Sequence, residues 1–206
     1  MFNYLNLKTM KTTFKTTMIA IVMICMSIFT TNAQDGNEKT RFSVEIDPAT
    51  FVFNGYAAHL RIQPKNCDHL LFGVGTYAMD MPEVFVNFNQ NNKDKGWDVR
   101  INQAYGLFAE HHFTEVNKKW FVGGQLGMQE FKIENDESPG SETFSNALLM
   151  GYGGYTLQPF EFPLYFKLWA GAGYTSKISG TNSLGDLEYD IAPITMFATL
   201  HIGYTF

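Results

Sequence analysis

The strongest constraint in this 206-residue chain is a strict alternation of side-chain types at its C-terminus. In the stretch "ATLHIGYTF", every second residue from Ala198 to Phe206 is apolar, and the residues between them are polar or small. A period of two places alternate side chains on opposite faces of a β-strand. The stretch therefore predicts a strand with two chemically distinct faces. Its bulky last ring needs an apolar environment, although chain ends usually fray into water.

The same pattern recurs along the chain between turn-rich breaks. Runs of β-branched and aromatic residues bounded by Gly, Pro, Asn and Asp are typical of strands. No apolar stretch after the first 33 residues is long enough to form a transmembrane helix. Eight β segments are predicted, at residues 41–47, 51–63, 69–81, 97–113, 119–134, 143–158, 163–178 and 189–206.

The breaks between these segments alternate in length. "QPKNCDH", "TEVNKK" and "QPFEFP" are compact, whereas "PEVFVNFNQNNKDKG", "NDESPGSE" and "GTNSLGDLE" are longer and polar. The first break, "DPAT", is short where a long one is due. The apolar "EVFVNF" is interpreted as a continuation of its strand, with an exposed edge that binds a partner or an apolar ligand as the alternative. An even number of strands with short turns at one end and longer loops at the other predicts a transmembrane β-barrel.

The N-terminal region has the features of a secretory signal peptide. Lys11 and Lys15 precede an apolar run from Met18 to Phe29, and small residues lead to "TNA-Q". This arrangement predicts cleavage after Ala33 and a mature domain of residues 34–206. Met10 is a better candidate start than Met1, since the basic region follows it directly.

Charge and cysteine content narrow the function classes. Residues 1–33 hold three lysines and no acidic residue, so the mature chain keeps 12 basic and 20 acidic residues. A surface this acidic makes nucleic acid an unsuitable partner. Only Cys67 remains after cleavage, which leaves no intramolecular disulfide and no thiolate metal cluster. Neither a cofactor nor a metal is expected, and the barrel is expected to be a monomer.

Two kinds of barrel can carry these two-faced strands. A soluble barrel of the lipocalin kind places its apolar face inside, and a membrane barrel places it outside. The polar faces here mix glycine with large polar side chains, as a narrow interior requires. The membrane arrangement is therefore predicted. It places aromatic residues at the ends of the lipid-facing strands, namely Trp97, Phe113, Trp120, Tyr204 and Phe206.

The membrane arrangement forces the charged side chains of the strands into the lumen. A basic side chain at the bilayer midplane costs about 2–4 kcal/mol, and a buried charge needs a partner of opposite sign. Glu45, Asp47, Asp98 and Glu110 are available to pair with Arg61, Arg100, Lys167 and Lys177, which predicts a plugged barrel without an open pore. The predicted polar network of the lumen comprises Glu45, His59, Arg61, Asp98, Arg100, Glu110, His112, Gln125, Gln129, Lys167 and His201.

The terminal "LHIGYTF", with Leu200, Ile202, Tyr204 and Phe206 on one face, resembles the C-terminal assembly signal of Gram-negative outer-membrane proteins. With the signal peptide and the strand count, the chain resembles small barrels of the OmpA transmembrane-domain, OmpX or OmpW type. The resemblance implies residence in the outer membrane and contact with its lipid and lipopolysaccharide. It also implies assembly by periplasmic chaperones and the barrel-assembly machinery. It implies no single activity, because this fold hosts several.

Three functions are weighed. The first is a closed barrel with a structural or surface-interaction role. The second is a transporter for small apolar molecules with a lateral opening, which predicts an apolar upper lumen. The third, modification of lipid A, predicts a Ser/His pair on the lipid-facing wall, yet no histidine begins a His-x-Ser motif. The histidines are interpreted as part of the polar network, with an acid/base or metal cluster as the alternative. Residues expected to contribute to an apolar upper lumen are Phe53, Tyr77, Met79 and Phe197.

Overall fold

The strands of this chain close into an eight-stranded antiparallel ring, as predicted. The computed structural model describes residues 39–206, so the predicted signal peptide and its cleavage at Ala33 lie outside the described residues. Around the ring the order is β1, β10, β7, β6, β5, β4, β3 and β2, while β8 and β9 form a separate hairpin. The bounds are β1 (Arg41–Ile46), β2 (Tyr56–Gln63), β3 (Leu70–Asp80), β4 (Trp97–His112), β5 (Lys119–Asn135), β6 (Ser138–Leu157), β7 (Leu164–Gly180), β8 (Ser183–Leu184), β9 (Leu187–Glu188) and β10 (Ile194–Thr205).

Pairing between the first and last strands closes the ring. Ser43 of β1 is paired with Thr205 of β10, and the pairing ends at Ile46 and Ile202. The start of β1 and the end of β10 therefore lie at the same end of the barrel, together with the short connections 64–69, 113–118 and 158–163. Short turns mark the periplasmic end of such barrels. We call this the lower end and the opposite one the upper end.

Two short helices lie at the upper end. Helix α1 (Pro48–Val52) covers the predicted break "DPAT" and the first two residues of the predicted second segment. It forms because the Asp47 side chain accepts a hydrogen bond from the Ala49 N–H and Pro48 occupies the first turn. Helix α2 (Glu83–Val86) replaces the predicted continuation "EVFVNF". The first connection thus runs over residues 47–55, which restores the alternation of short and long connections that "DPAT" broke.

The other upper connections also differ from the prediction. β5 and β6 extend to Asn135 and Ser138 and leave a tight turn where "NDESPGSE" predicted a loop. The β8–β9 hairpin lies within "GTNSLGDLE", and β10 begins only at Ile194. No helix among residues 39–206 is both long enough and apolar enough to cross a bilayer.

A β-bulge in β4 overturns part of the predicted face assignment. Asn102 is an extra residue relative to both neighbouring strands, since the register shifts at this point in the pairing with β3 and with β5. A single extra residue moves every side chain beyond it to the opposite face. Below the bulge Glu110 and His112 face the lumen as predicted. Above it the prediction was wrong: Asp98 and Arg100 lie outside the lumen, whereas Trp97, Val99 and Ile101 are buried within it.

The outer wall of the barrel is apolar. Leu107 and Leu168 are each 61% exposed, and similar side chains from the neighbouring strands surround them. Aromatic pairs lie at the lower end of this wall, such as Trp120 with Tyr155, whose ring centroids are 4.9 Å apart. Because a water-soluble barrel would place such side chains inside, this surface is that of a transmembrane β-barrel. The outward apolar residues of the wall include Val44, Leu60, Val74, Tyr105, Leu107, Val122, Leu126, Leu149, Leu168, Met196 and Leu200.

Candidate functional site

The lower lumen is crossed by a network of four buried charges. Glu45 of β1 accepts hydrogen bonds from Lys167 Nζ at 2.7 Å and from Arg61 Nε at 3.0 Å. Lys167 also donates to Glu110 of β4 at 2.9 Å, and Arg61 Nη1 lies 3.5 Å from the same carboxylate. Lys167 therefore links β1 to β4 across the barrel. We call Glu45, Arg61, Glu110 and Lys167 the charge network.

Hydroxyl and imidazole groups surround the two carboxylates. The Tyr165 hydroxyl donates to Glu45 at 2.9 Å, and the Tyr152 hydroxyl donates to Glu110 at the same distance. His201 Nδ1 lies 3.0 Å from Glu45, and His112 Nε2 lies 3.2 Å from Glu110. Each carboxylate thus contacts two cationic groups, one phenol and one imidazole, which satisfies acceptor positions that water cannot reach.

Glycines on the lumen side provide the space for these large side chains. A Cβ atom on Gly203 would collide with the Tyr165 ring, and one on Gly123 would lie 2.7 Å from Cζ of Tyr152. Gly73 faces Arg61 in the same way, since a Cβ there would lie 2.5 Å from its Cδ. An eight-stranded ring leaves room for little more than side chains. The lower lumen is therefore filled by pairing a large residue on one strand with a glycine on the next.

The charge network is balanced and closed to solvent. It holds two carboxylates, one ammonium and one guanidinium, and the side chains of Glu45 and Glu110 have no exposed surface. Removing one member of a buried ion pair costs about 3–5 kcal/mol because its partner is left unpaired. The network therefore stabilises the ring only while all four members are present.

The remaining predicted lumen residues have different partners. Gln129 donates to the Tyr77 hydroxyl at 2.6 Å, and Gln125 is buried above the charge network. Arg100 instead pairs with Asp80 near the upper rim, where both side chains are partly exposed. Asp98 is exposed. Two further residues from the predicted ion pairs also lie apart from the charge network, since Asp47 caps α1 and Lys177 donates to Asn182.

The four residues of the predicted assembly signal lie on the outward face of β10 and its end. Leu200 and Tyr204 are exposed, Ile202 is half-buried, and Phe206 is 74% exposed. The Phe206 ring packs against Tyr204 with centroids 5.1 Å apart, and its N–H donates to the carbonyl of Phe42. The terminal aromatic is therefore part of the outer wall at the closing seam between β1 and β10.

The upper lumen is mostly apolar. Phe108, Phe121, Leu148, Met150 and Tyr152 form one buried cluster that begins beside the charge network, where Tyr152 donates to Glu110, and extends above it. A second cluster lies nearer the upper end and comprises Val86, Trp97, Val99, Ile133, Phe144 and Leu184. Two cavities lie among these side chains, with volumes of about 110 Å³ and about 150 Å³. All four residues predicted to contribute to an apolar upper lumen, Phe53, Tyr77, Met79 and Phe197, line the first cavity.

The upper end is covered by connections that hydrogen-bond to one another. Asn92 Nδ2 donates to the carbonyl of Asp190 at 2.8 Å, and the Asp190 N–H donates back to Asn92. Asn89 donates to the same carbonyl. Burial, with the neighbouring Asp190 carboxylate, raises the pKa of Tyr189 to about 12, so its neutral ring packs against Trp97. We call residues 81–96 and 181–193 the upper cap.

One group of side chains has the donor types of a metal site. Donor atoms of Glu45, His59 and His201 all lie within 4.8 Å of one another. However, both oxygens of Glu45 already accept hydrogen bonds from Lys167 and Arg61. A bound metal cation would lie beside these two fixed positive charges, so the group fits the charge network better than a metal site.

The Ser/His pair predicted for lipid A modification is not found among the side-chain hydrogen bonds of residues 39–206. Among residues 39–206 no serine hydrogen-bonds to a histidine. His69 contacts the carbonyl of His112 at 2.8 Å and stacks on His111, and neither ring approaches a serine hydroxyl. The histidines of the lumen contact carboxylates and aromatic rings instead.

The sequence missed one member of this site. Tyr152 lies on a segment whose two faces are both apolar or small, so alternation does not show which face points into the lumen. The run "VGG" at residues 122–124 could have indicated its position. A glycine on an inward face leaves space that a large side chain on the next strand fills. Tyr165 and Trp169 alternate in phase with Lys167 and so share its inward face, yet their hydrogen bonds to Glu45 and His201 are not predictable from sequence.

Two solved structures are similar to this barrel. One is the N-terminal β-barrel domain of Pseudomonas aeruginosa OprF, with 13% identity, a TM-score of 0.43, and 84% of this chain and 100% of that chain covered. The other is a major outer membrane protein from Thermus thermophilus, with 13% identity, a TM-score of 0.45, and 82% and 100% covered. No family model and no curated protein matches the chain. At this identity the likeness concerns the fold alone.

Proposed function

We propose that the protein is a closed outer-membrane β-barrel that conducts no solute and anchors the upper cap at the exterior. One observation carries this proposal: the charge network joins β1, β2, β4 and β7 through contacts of 2.7–3.5 Å across the lumen. A solute crossing the lumen would have to separate these buried charges, each of which is costly to leave unpaired.

The outer wall supports the proposed membrane location, and the upper cap supports the proposed anchoring role. The apolar wall suits a lipid environment, and outer-membrane lipid is its proposed partner. The cap carries exposed polar side chains, including Lys93, Asp94 and Lys95, on connections held by the Asn92–Asp190 hydrogen bonds. A hydrogen-bonded surface on a membrane anchor suits contact with lipopolysaccharide or another cell-surface partner.

Assembly through the terminal aromatic is part of the same proposal. Phe206 is exposed on the outer wall at the seam where the ring closes. This placement leaves the ring accessible to the barrel-assembly machinery before β1 and β10 pair. A Phe206→Ser variant is expected to accumulate unassembled in the periplasm, while Leu157→Ser, which alters an exposed apolar residue at the lower end of β6, is expected to assemble.

Electrical recording tests the closed lumen. The purified protein, inserted into planar lipid bilayers, is expected to produce no discrete conductance steps. The double variant Glu45→Ser/Lys167→Ser removes one negative and one positive group, so the remaining Arg61–Glu110 pair keeps the lumen neutral. This variant is expected to show small steps. Reproducible steps in the unaltered protein, with the conducting state dominant, would contradict the proposal.

A second candidate is lateral passage of small apolar molecules, and the short first strand favours it. Above Ile46 the wall beside β10 is formed by α1 rather than by a paired strand. This helix is held to β10 by the Thr199 hydroxyl, which donates to Asp47 at 2.8 Å. Ala49 and Thr50 of α1 line the first cavity. A movement of α1 alone would connect that cavity with the lipid.

A disulfide between α1 and β10 tests this candidate. Asp47→Cys/Thr199→Cys in a Cys67→Ser background joins the two elements when oxidised and releases them when reduced. Uptake of an apolar fluorescent dye by cells carrying this variant is expected to slow severalfold on oxidation, with the Cys67→Ser protein as control. Equal uptake in both redox states would exclude passage at α1.

A further inference from the structure

The two cavities of the upper lumen are adjacent and share part of their lining. The first has a volume of about 110 Å³ and the second about 150 Å³. Met81, Phe85 and Phe197 line both of them. These three flexible or planar side chains lie between the cavities, so a molecule in one contacts residues that also line the other.

The volume and the lining side chains of these cavities suit one small apolar ligand. Phe53, Met79, Phe108 and Met150 line the first cavity beside the shared residues. An apolar cavity of about 150 Å³ stays dry and binds benzene. Each cavity is therefore of the order of one aromatic ring, and the methionines can adjust to its outline.

The floor of the first cavity is polar, and nitrogen atoms of His59 and Arg61 there have no hydrogen-bond partner in the part of the chain that the structure describes. His59 is only 6% exposed and its Nδ1 atom is buried, so a ligand reaches that atom by a small shift of the ring. The ring is held by stacking on His201 at 4.7 Å and by an edge contact with Phe108 at 5.3 Å. A buried imidazole nitrogen without a partner is unfavourable, so a group that hydrogen-bonds to it would stabilise the site.

The charges at the floor, where Arg61 lines the cavity, select against an ionic ligand. The charge network contains two negative and two positive groups and is already balanced. A carboxylate or an ammonium group at His59 would add an unpaired charge to a closed lumen. A hydroxyl adds no charge, and because it both donates and accepts, it suits His59 Nδ1 in either tautomer.

We propose that the upper lumen is a binding site for small uncharged phenols, with the aromatic ring in the apolar cavities and the hydroxyl on His59. This inference goes beyond the closed-barrel function, because a barrel sealed by the charge network can hold a ligand above the seal. It also requires no passage of the ligand through the wall.

Fluorine NMR with 4-fluorophenol in lipid bicelles tests the site, with fluorobenzene and 4-fluorobenzoate as comparison probes. The protein is expected to bind 4-fluorophenol saturably, beyond its partition into protein-free bicelles. Fluorobenzene is expected to bind about tenfold more weakly, the size of one hydrogen bond. No saturable binding is expected for 4-fluorobenzoate. Binding of 4-fluorophenol that does not saturate, or that equals the protein-free bicelles, overturns the proposal.

Two residues of neighbouring strands provide a matched pair of variants. Phe197→Trp fills the space that both cavities share, and is expected to abolish saturable binding. Leu168→Trp adds a large ring on the outer wall, where Leu168 is exposed and lines neither cavity, and is expected to leave binding unchanged. His59→Phe is expected to reduce 4-fluorophenol binding to the level of fluorobenzene. Equal losses in the Phe197 and Leu168 variants overturn the assignment of the site.

A measurement on the unaltered protein guards against variants that fail to fold. Intermolecular NOEs are expected between the ring protons of 4-fluorophenol and those of Phe197 and His59. NOEs to outer-wall residues alone overturn the proposal. Bilayer conductance does not enter this test, so its failure leaves the closed-barrel function untouched, and the reverse also holds.

Discussion

The same strands form the wall of the lower and upper halves of the lumen, but the two halves contain different side chains. The lower half holds the charge network, with large side chains facing glycines such as Gly203 and Gly123. The upper half holds aromatic residues and methionines around two cavities. Strand pairing on β5, β6 and β7 runs through both halves, with one register shift in each of the two pairings. The number of strands therefore determines the diameter of the barrel. The inward-facing side chains alone determine whether the lumen is filled or contains cavities.

The difference also shows what each half requires of its sequence. In the lower half each charge has a partner within 3.5 Å, so replacing a single residue disturbs several others. In the upper half packing is non-directional, so an altered side chain can be accommodated by its neighbours. The two halves should consequently respond differently to substitutions of similar size. The predictions below run from the largest expected effect to the smallest.

Loss of one carboxylate is expected to have the largest effect. Glu45→Gln removes the negative charge that Lys167 and Arg61 share, which is expected to lower the free energy of unfolding by about 3–5 kcal/mol. Urea titrations in lipid vesicles, followed by heat-modifiable gel migration, measure it. Val44→Ala, the adjacent outward residue, serves as the control. A loss no larger than that of the control would mean that the network does not stabilise the lower half.

A charge outside the lumen is expected to have the next largest effect. Leu107 faces outward in the middle of β4, where an arginine is expected to cost about 2–4 kcal/mol in the bilayer. Phe113→Arg, at the lower end of the same wall, is expected to cost at most about 1 kcal/mol. The same urea titrations measure both variants. Equal costs for the two positions would place the wall outside the hydrocarbon core.

Enlarging an inward-facing side chain is expected to destabilise the lower half more than the upper half. Gly203→Ala forces a methyl group against the Tyr165 ring and is expected to cost about 1–3 kcal/mol. Ala57→Val adds two methyl groups beside the first cavity, where Ala57 is a lining residue, and is expected to cost little. Gly151→Ala, whose Cβ would meet nothing within 4 Å, controls for the loss of glycine. A greater loss in Ala57→Val than in Gly203→Ala would reverse the contrast.

The ion pair at the upper rim is expected to matter least. Arg100 pairs with Asp80, and both side chains are partly exposed. Pairs of this kind contribute about 0–1 kcal/mol. Arg100→Ala is therefore expected to change the unfolding midpoint slightly, and Arg61→Ala, in the charge network, to change it severely. Similar shifts for the two arginines would show that Arg100 has a larger role than its exposure indicates.

Most of the ring was predictable because alternation acts locally. The outward placement of Leu107 and Leu168, and the inward placement of Lys167 and Glu110, follow from a period of two. The failures arise where one residue changes the period. The extra Asn102 in β4 reversed the faces of Asp98 and Arg100, and nothing in "RINQA" signals a bulge. The cap at Asp47 likewise turned the predicted break and the first two residues of the next predicted strand into α1.

The charge network was predictable in part only. Charge balance in a closed lumen requires opposite signs to meet, and the eight charged residues predicted to pair include Glu45, Arg61, Glu110 and Lys167. Which charges pair depends on the stagger of strands that lie far apart in sequence, and this is a property of the closed ring. The position of the cavities depends on rotamers of Phe85 and Phe197, which alternation does not determine.

The central claim is that the apolar face of each strand lies outside and the other face lies within the ring. Intermolecular NOEs between the acyl chains of lipid bicelles and the leucine methyl groups of the unaltered protein measure this placement residue by residue. The account predicts strong NOEs for Leu107, Leu126 and Leu168, which are exposed on the wall, and none for the buried Leu71 and Leu148. NOEs from lipid to Leu71 and Leu148, with Leu107 and Leu168 shielded, would contradict it.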